Sequence, residues 1–282
     1  MMNQYVFVYG TLRQYETNHS IMRGAELISE QAYILGELWD TGNGYPAVIP
    51  HEKTRVYGEL YRINDEILER IDDLEGYQGP QGSNHYERIE QTVHTDRQDY
   101  SAYVYMYPEK PDSGEPISSG DWKCENIQKQ KNMLYFAYGS CMDDERFKSA
   151  GVDHLFTKVM GRGILKNYDL KFGYKAGDGY GRADIVEMGG LRLEGKLYEI
   201  GQETLEYLFV REGVSSHIYR PTIIQVESNG SVIPNVLTFT VIHKLKDDVP
   251  PPDWYKEEIL RGAKGTVSEE YYEELVARFQ SF

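Results

Sequence analysis

The chain has 282 residues, 40% of them hydrophobic and 27% charged, enough for two domains of ordinary size that each bury a core. No apolar run approaches the roughly 18 residues that a membrane span needs, and the first residues lack the basic-then-apolar order of a secretory signal, so a cytoplasmic protein with no membrane partner is expected. The formal charge of −15 is concentrated in residues 1–120, with 9 Lys and Arg against 20 Asp and Glu, and neither that part nor the rest, 21 against 25, has the basic footprint of a nucleic-acid binder.

Residues 5–9, Tyr-Val-Phe-Val-Tyr, alternate as a strand and run into Gly10-Thr-Leu-Arg, a sharp turn. A glycine in such a turn lets backbone N–H groups point into a cavity, where they can hold an anion or a developing oxyanion. Residues 11–19 are polar and loop-like, and Ser20 can cap a short segment through Glu26. Strands are expected over 33–39 and 56–63, with a loop over 40–45 and a short apolar run at 47–49 between them. Gly58 lies inside the second strand, where glycine marks close approach of another backbone or a ligand. A helix follows: Asn64 or Asp65 can cap it, Ile67, Leu68, Ile71 and Leu74 share one face, and Gly76 ends it in a left-handed conformation. Glu75 therefore sits in the last turn.

A glycine-rich loop over 76–83 leads to strands at 86–93 and 101–107. Three prolines and two glycines over 108–120 read as the tail of a first domain, 1–120, followed by a linker, 121–131. The second domain, 132–282, repeats the plan with a strand at 134–138, a helix at 143–149, strands near 168–173 and 191–200, and a helix at 202–211 that buries Leu205, Leu208 and Phe209. Glu212 then precedes Gly213 as Glu75 precedes Gly76. An extension from Pro250 suggests one helix through Tyr255, Ile259 and Leu260 and another over 269–279.

The repeat is specific. Tyr138-Gly-Ser follows Leu134-Tyr-Phe-Ala just as Tyr9-Gly-Thr follows its own strand. Gly58-Glu-Leu-Tyr-Arg-Ile matches Gly195-Lys-Leu-Tyr-Glu-Ile, and each lies 17 residues before its Glu-Gly, the mark of a duplicated domain.

A carboxylate at a helix C-terminus faces the negative end of the dipole, which raises its pKa toward the range useful to a general base. One such Glu would be read as a solvated helix end; the same Glu-Gly at matched distance in both repeats favours Glu75 and Glu212 as proton acceptors, with the Tyr-Gly turns as oxyanion cradles. Cys141 makes a weak nucleophile candidate, because Leu12 stands at its place in the first unit and no histidine recurs. The seven histidines lack metal-ligand spacing, so neither metal nor cofactor is expected, and two cysteines are too few for a disulfide framework. Residues 177–181 lack the Lys-Ser/Thr ending of a phosphate loop and read as a loop at a pocket mouth.

On these residues the chain resembles the γ-glutamylcyclotransferase family over nearly its whole length, as two tandem copies. The second unit is similar to enzymes acting on glutathione or γ-glutamyl amino acids, through Tyr135-Phe-Ala-Tyr-Gly-Ser, Tyr168-Asp-Leu-Lys-Phe-Gly, Gly195-Lys-Leu-Tyr, Arg211-Glu-Gly-Val and residues 255–263. The first is more similar to the γ-glutamylamine cyclotransferase, AIG2-like branch, through Val8-Tyr-Gly-Thr-Leu-Arg and Asp72-Asp-Leu-Glu-Gly-Tyr. The resemblance implies an α+β fold of two small β-barrels with flanking helices. It implies Glu212 and Glu75 as catalytic acceptors, and Tyr135, Phe136, Ala137, Tyr138, Gly139, Ser140 and Tyr255, with Tyr9, Gly10, Thr11 and Leu12 in the first unit, as binding residues for a small γ-glutamyl substrate.

The expected reaction closes the γ-glutamyl group on its own α-amine, giving 5-oxoproline and a free amine or amino acid. The alternative is a binding protein in which one or both units are degenerate. Two departures stand out: Cys141 replaces the family's usual Asn, and Leu208-Phe-Val-Arg lacks the Asp that precedes the catalytic Glu, which Asp72 and Asp73 supply in the first unit.

Overall fold

The apolar residues before the first Tyr-Gly turn form strand β1 (Gln4–Val8), and their alternation splits them between two layers of core. Phe7 packs with Val56, Leu60 and Val104 inside a closed barrel, while Val6 and Val8 pack with Ile67 and Ile71 of a covering helix. The computed structural model describes residues 4–111 and 113–282. Contacts divide it into two units, separating after Glu125.

In the first unit β1 lies antiparallel to β5 (Arg55–Ile63) and parallel to β7 (Asp99–Met106). β5 also pairs with β2 (Glu26–Leu35), β2 with β6 (Glu87–His94), and β6 with β7, which closes the ring. Beside it, β3 (Glu37–Asp40) pairs with both β4 (Pro46–Ile49) and β8 (Glu115–Pro116). Helix α1 (Asp65–Glu75) begins where the Asn64 side chain accepts the Ile67 N–H and stops at Gly76, φ 64°.

After α2 (Trp122–Gln128), the second unit contains β9 (Asn132–Ala137), α3 (Asp144–Ser149), the long strands β10 (Val159–Lys175) and β11 (Gly181–Gly201), and α4 (Gln202–Arg211). The strands β12 (Tyr219–Ser228) and β13 (Ser231–Val241) and the helices α5 (Asp253–Ala263) and α6 (Glu269–Gln280) complete it. Its barrel runs β10-β11-β9-β13-β12 and closes between β12 and β10 at Ile164 and Glu227. With β9, β10, β11, β12 and β13 set against β1, β2, β5, β6 and β7, the circular order is the same in both units, and in both the first strand lies parallel to the last. The fold is α+β, two small barrels with flanking helices.

Several local expectations change. Ser20 lies in a single 3-10 turn (His19–Met22), and β2 already begins at Glu26. The stretch 33–39 is not one strand: Gly36 breaks it between the barrel and the side sheet, at a point where a Cβ would lie 2.8 Å from Val48 Cγ1. The expected linker, 121–131, instead carries α2, with Trp122 and Cys124 buried and Asp121 Oδ1 accepting the N–H groups of Lys123 and Cys124. β10 and β11 extend well beyond 168–173 and 191–200, because register shifts such as that at Asn167, φ 61°, disrupt the period. β12 and β13 have no local signature in the sequence. They contain Pro221 and Pro234 and bury the hydroxyls of Thr222, Thr238 and Thr240, features that read as loop until the partner strand supplies hydrogen bonds. No helix among the described residues is long and apolar enough to cross a membrane.

Candidate active site

Each Tyr-Gly turn hangs from a buried phenol. Tyr9 donates to the Tyr105 carbonyl at 2.7 Å and Tyr138 to the Phe239 carbonyl at 2.6 Å. The turns close through Arg13 N–H to Gly10 O, 3.1 Å, and Met142 N–H to Gly139 O, 3.0 Å. Neither glycine has a positive φ. Space restricts Gly10, where a Cβ would lie 2.7 Å from Pro46 Cγ; at Gly139 the fit is tight, with a Cβ 3.2 Å from Ala183 Cβ and 3.5 Å from the Tyr255 hydroxyl. The N–H groups of Thr11, Leu12, Ser140 and Cys141 have no hydrogen-bond partner among the described residues.

The repeated Gly-x-Leu-Tyr stretch sits directly against these turns. A Cβ on Gly58 or Gly195 would lie 2.3 Å from the carbonyl oxygen of Val8 or Ala137, respectively, so glycine lets β5 and β11 press against the strand leading into the turn. The next residue braces the turn with opposite charge in the two units. Buried Glu59 accepts from Arg13 Nε at 3.3 Å and Gln14 N–H at 2.8 Å, and Arg13 also reaches Asp121 at 2.8 Å. Lys196 instead donates to Met142 O at 3.3 Å and Asp144 at 2.6 Å.

Tyr9, Gly10, Thr11, Leu12 and Glu75 line one cavity of about 250 Å³, together with Tyr45, Pro46, His85 and Tyr86. Among the described residues no Lys or Arg lines it. Burial without a neighbouring cation pushes the Glu75 carboxyl up to about 7, and burial also raises the Tyr9 and Tyr86 phenols. Asp72 does not line this cavity. It accepts from the Tyr105 hydroxyl and pairs with Arg88, both at 2.5 Å, bracing the end of α1 against the barrel.

Tyr135, Tyr138, Gly139, Ser140, Glu212 and Tyr255 line a second cavity, of about 450 Å³. Two expected contacts are corrected. Phe136 and Ala137 are absent from its wall: the Phe136 ring is buried against Gly163 and Gly195, and Ala137 is 1% exposed. Alternation along β9 turns Phe136 away from the face that carries Tyr135, while Tyr138 reaches the cavity from beyond the strand's end, in the turn itself.

Cys141, Arg146, Arg182, Arg211 and Trp254 join that wall. Cys141 Sγ lies 3.6 Å from Glu212 Oε1, and Arg211 donates to Cys141 Sγ and Ser140 Oγ, both at 3.0 Å. Burial raises the Glu212 carboxyl, while Arg211, the Cys141 hydrogen bond and Arg146 oppose it. Burial likewise pushes the Cys141 thiol up, away from the reactive thiolate. Arg146 is held by Glu258, and Arg182 by Asp178 and by the rings of Trp254 and Tyr255. The Tyr255 hydroxyl accepts the Ala183 N–H at 3.2 Å, and the same helix closes on the turn at Gly262, where a Cβ would lie 2.5 Å from the Met142 carbonyl carbon. The hairpin turn over 177–180 joins Ala176 and Arg182 at this wall. The sequence signal for Arg211 was its place next to Glu212; for Arg146, Arg182 and Tyr45 there was none.

Two family models match the chain: "Gamma-glutamyl cyclotransferase, AIG2-like" over residues 6–124 and the AIG2-like family over 192–275. YkqA of Bacillus subtilis (strain 168) is 40% identical over 285 residues, spanning 99% of both chains. The chain belongs to the γ-glutamylcyclotransferase, AIG2-like family. The crystal structure of this γ-glutamylcyclotransferase-family relative, YkqA, superposes with a TM-score of 0.89 at 38% identity, covering 100% of this chain and 99% of that one. A further family member, the γ-L-glutamyl-butirosin B γ-glutamyl cyclotransferase of Niallia circulans, is 44% identical over 124 residues, covering 44% of this chain and 78% of the relative.

Proposed function

We propose that each unit converts a γ-glutamyl amide to 5-oxoproline, releasing an amine or amino acid. One observation carries this reading: in both units a Glu at a helix end, its carboxyl raised by burial, and the residues of a Tyr-Gly turn, whose N–H groups have no partner among the described residues, line the same cavity. The substrate's γ-carbonyl oxygen faces the N–H groups of Thr11 and Leu12, or of Ser140 and Cys141. Glu75 or Glu212 takes a proton from the substrate's α-amine as that nitrogen attacks the γ-carbonyl carbon. The tetrahedral oxyanion forms against the turn, where fixed donors stabilise it without reorganising. Collapse breaks the γ-amide C–N bond, and the carboxyl returns the proton to the departing nitrogen. The nucleophile and the electrophile belong to one molecule, so the protein's main task is to hold a folded conformer.

Release of 5-oxoproline tests this, across a panel of γ-glutamyl amino acids, glutathione and γ-glutamyl-lysine. Glu75→Gln and Glu212→Gln should each abolish the activity of their own unit, and the double variant should be inactive. A double variant that keeps the parental rate would overturn the assignment of the base, and binding of a γ-glutamyl ligand by calorimetry without turnover would point to a ligand-holding protein.

A further inference from the structure

The two carboxylates have different surroundings at matched positions. Beside Glu212 stand Arg211 and Cys141; beside Glu75 stand Leu74 and Leu12. Arg211 links three groups at once: Nε lies 3.0 Å from Cys141 Sγ and 3.5 Å from Glu212 Oε1, and a terminal nitrogen donates to Ser140 Oγ at 3.0 Å. Its side chain is only 16% exposed, so solvent screens it little. These contacts join the last turn of α4 to the turn after β9.

We propose that Arg211 is a positioning residue of the second site, tying the Ser140–Cys141 turn to the Glu212 carboxylate, so that this site accepts the substrate's proton at lower pH than the first. The inference rests on the proposed function. Its physical basis is the charge inventory around each acid. Around Glu212 the other charged groups lining the cavity are Arg146 on α3, which pairs with Glu258 and favours the carboxylate less than Arg211 does, and Arg182 on β11, which pairs with Asp178. The phenols of Tyr135, Tyr138, Tyr219 and Tyr255 also face this cavity, and burial keeps them protonated near neutral pH. Arg211 is thus the cation adjoining Glu212. Among the described residues around Glu75 the titratable groups are the phenols of Tyr9, Tyr45, Tyr86 and Tyr105 and the imidazole of His85, with no Arg or Lys in the wall. An adjacent cation favours the charged carboxylate by roughly 1–3 pH units, whereas a leucine leaves desolvation unopposed.

The test is the titration of the two carboxyl groups in the full chain, followed by NMR of protein labelled with 13C at glutamate carboxyls. Glu75 and Glu212 are assigned by the resonances lost in E75Q and E212Q. Glu212 should titrate below Glu75. R211Q, which keeps an amide donor and removes the charge, should move the Glu212 midpoint up by about one pH unit or more and leave Glu75 unchanged; R211K should restore most of the shift. The acid limb of 5-oxoproline release should follow the same order, read on an E75Q background. A Glu212 midpoint above that of Glu75 in the parental protein overturns the proposal, as does one that R211Q leaves in place. If the titrations behave as expected and neither unit releases 5-oxoproline, the proposed reaction fails and the positioning role stands.

Discussion

Phe209 packs edge-on against Phe239, ring centroids 5.9 Å apart, at the place where Asp72 accepts a hydrogen bond from Tyr105 in the first unit. Tyr105 and Phe239 are equivalent, because each offers its carbonyl to the buried tyrosine of the Tyr-Gly turn. A polar brace in one repeat is thus an aromatic brace in the other. Asp72 does not line the first cavity, so the missing Asp in the second unit is no argument against proton transfer there.

Asp72→Ala removes an acceptor shared by Tyr105 and Arg88 and should destabilise the first unit by about 1–3 kcal/mol, read as a lower denaturant midpoint. Because Tyr105→Phe removes part of the same interaction, the double variant should lose clearly less than the sum of the two single changes.

Glu75 holds its proton more tightly folded than unfolded, with a pKa of about 7 against an ordinary 4.5. Its contribution to stability is therefore fully present below pH 4.5 and is lost as pH rises through 7. Glu75→Gln, which cannot ionise, should therefore stabilise the first unit at pH 8 by up to about 3 kcal/mol relative to its effect at pH 4, while abolishing that unit's activity. Denaturant melts at the two pH values check it, and a gain independent of pH would contradict the assignment.

Gly195→Ala should destabilise the second unit by more than about 2 kcal/mol, because its Cβ meets the Ala137 carbonyl oxygen at 2.3 Å, a backbone atom with no room to yield. Gly177→Ala, with nothing within 4 Å, should stay within roughly 0.5 kcal/mol of the parental protein. Comparable melting temperatures for the two variants would count against the close strand approach.

Tyr255→Phe leaves the Ala183 N–H without its acceptor at the wall of the second cavity. On an E75Q background it should lower kcat/KM for 5-oxoproline release by about fivefold or more, corresponding to roughly 1 kcal/mol for a lost hydrogen bond. On an E212Q background, where the first unit acts alone, it should change nothing.

The sequence by itself determined the duplication, the two Tyr-Gly turns, the covering helix with its Asn64 cap and Gly76 stop, and the two Glu-Gly steps. All of these are written locally, in apolar period, a capping side chain, a left-handed glycine or a matched spacing. Tertiary structure alone decided the rest. β12 and β13 exist because barrel pairing satisfies buried threonines and tolerates two prolines, which no local pattern announces. Phe136 leaves the cavity because alternation along β9 turns it away from the face that carries Tyr135. Arg211 acquires its role from Ser140, 71 positions away, and a contact across that separation depends on strand order and register, which the residues on either side do not encode.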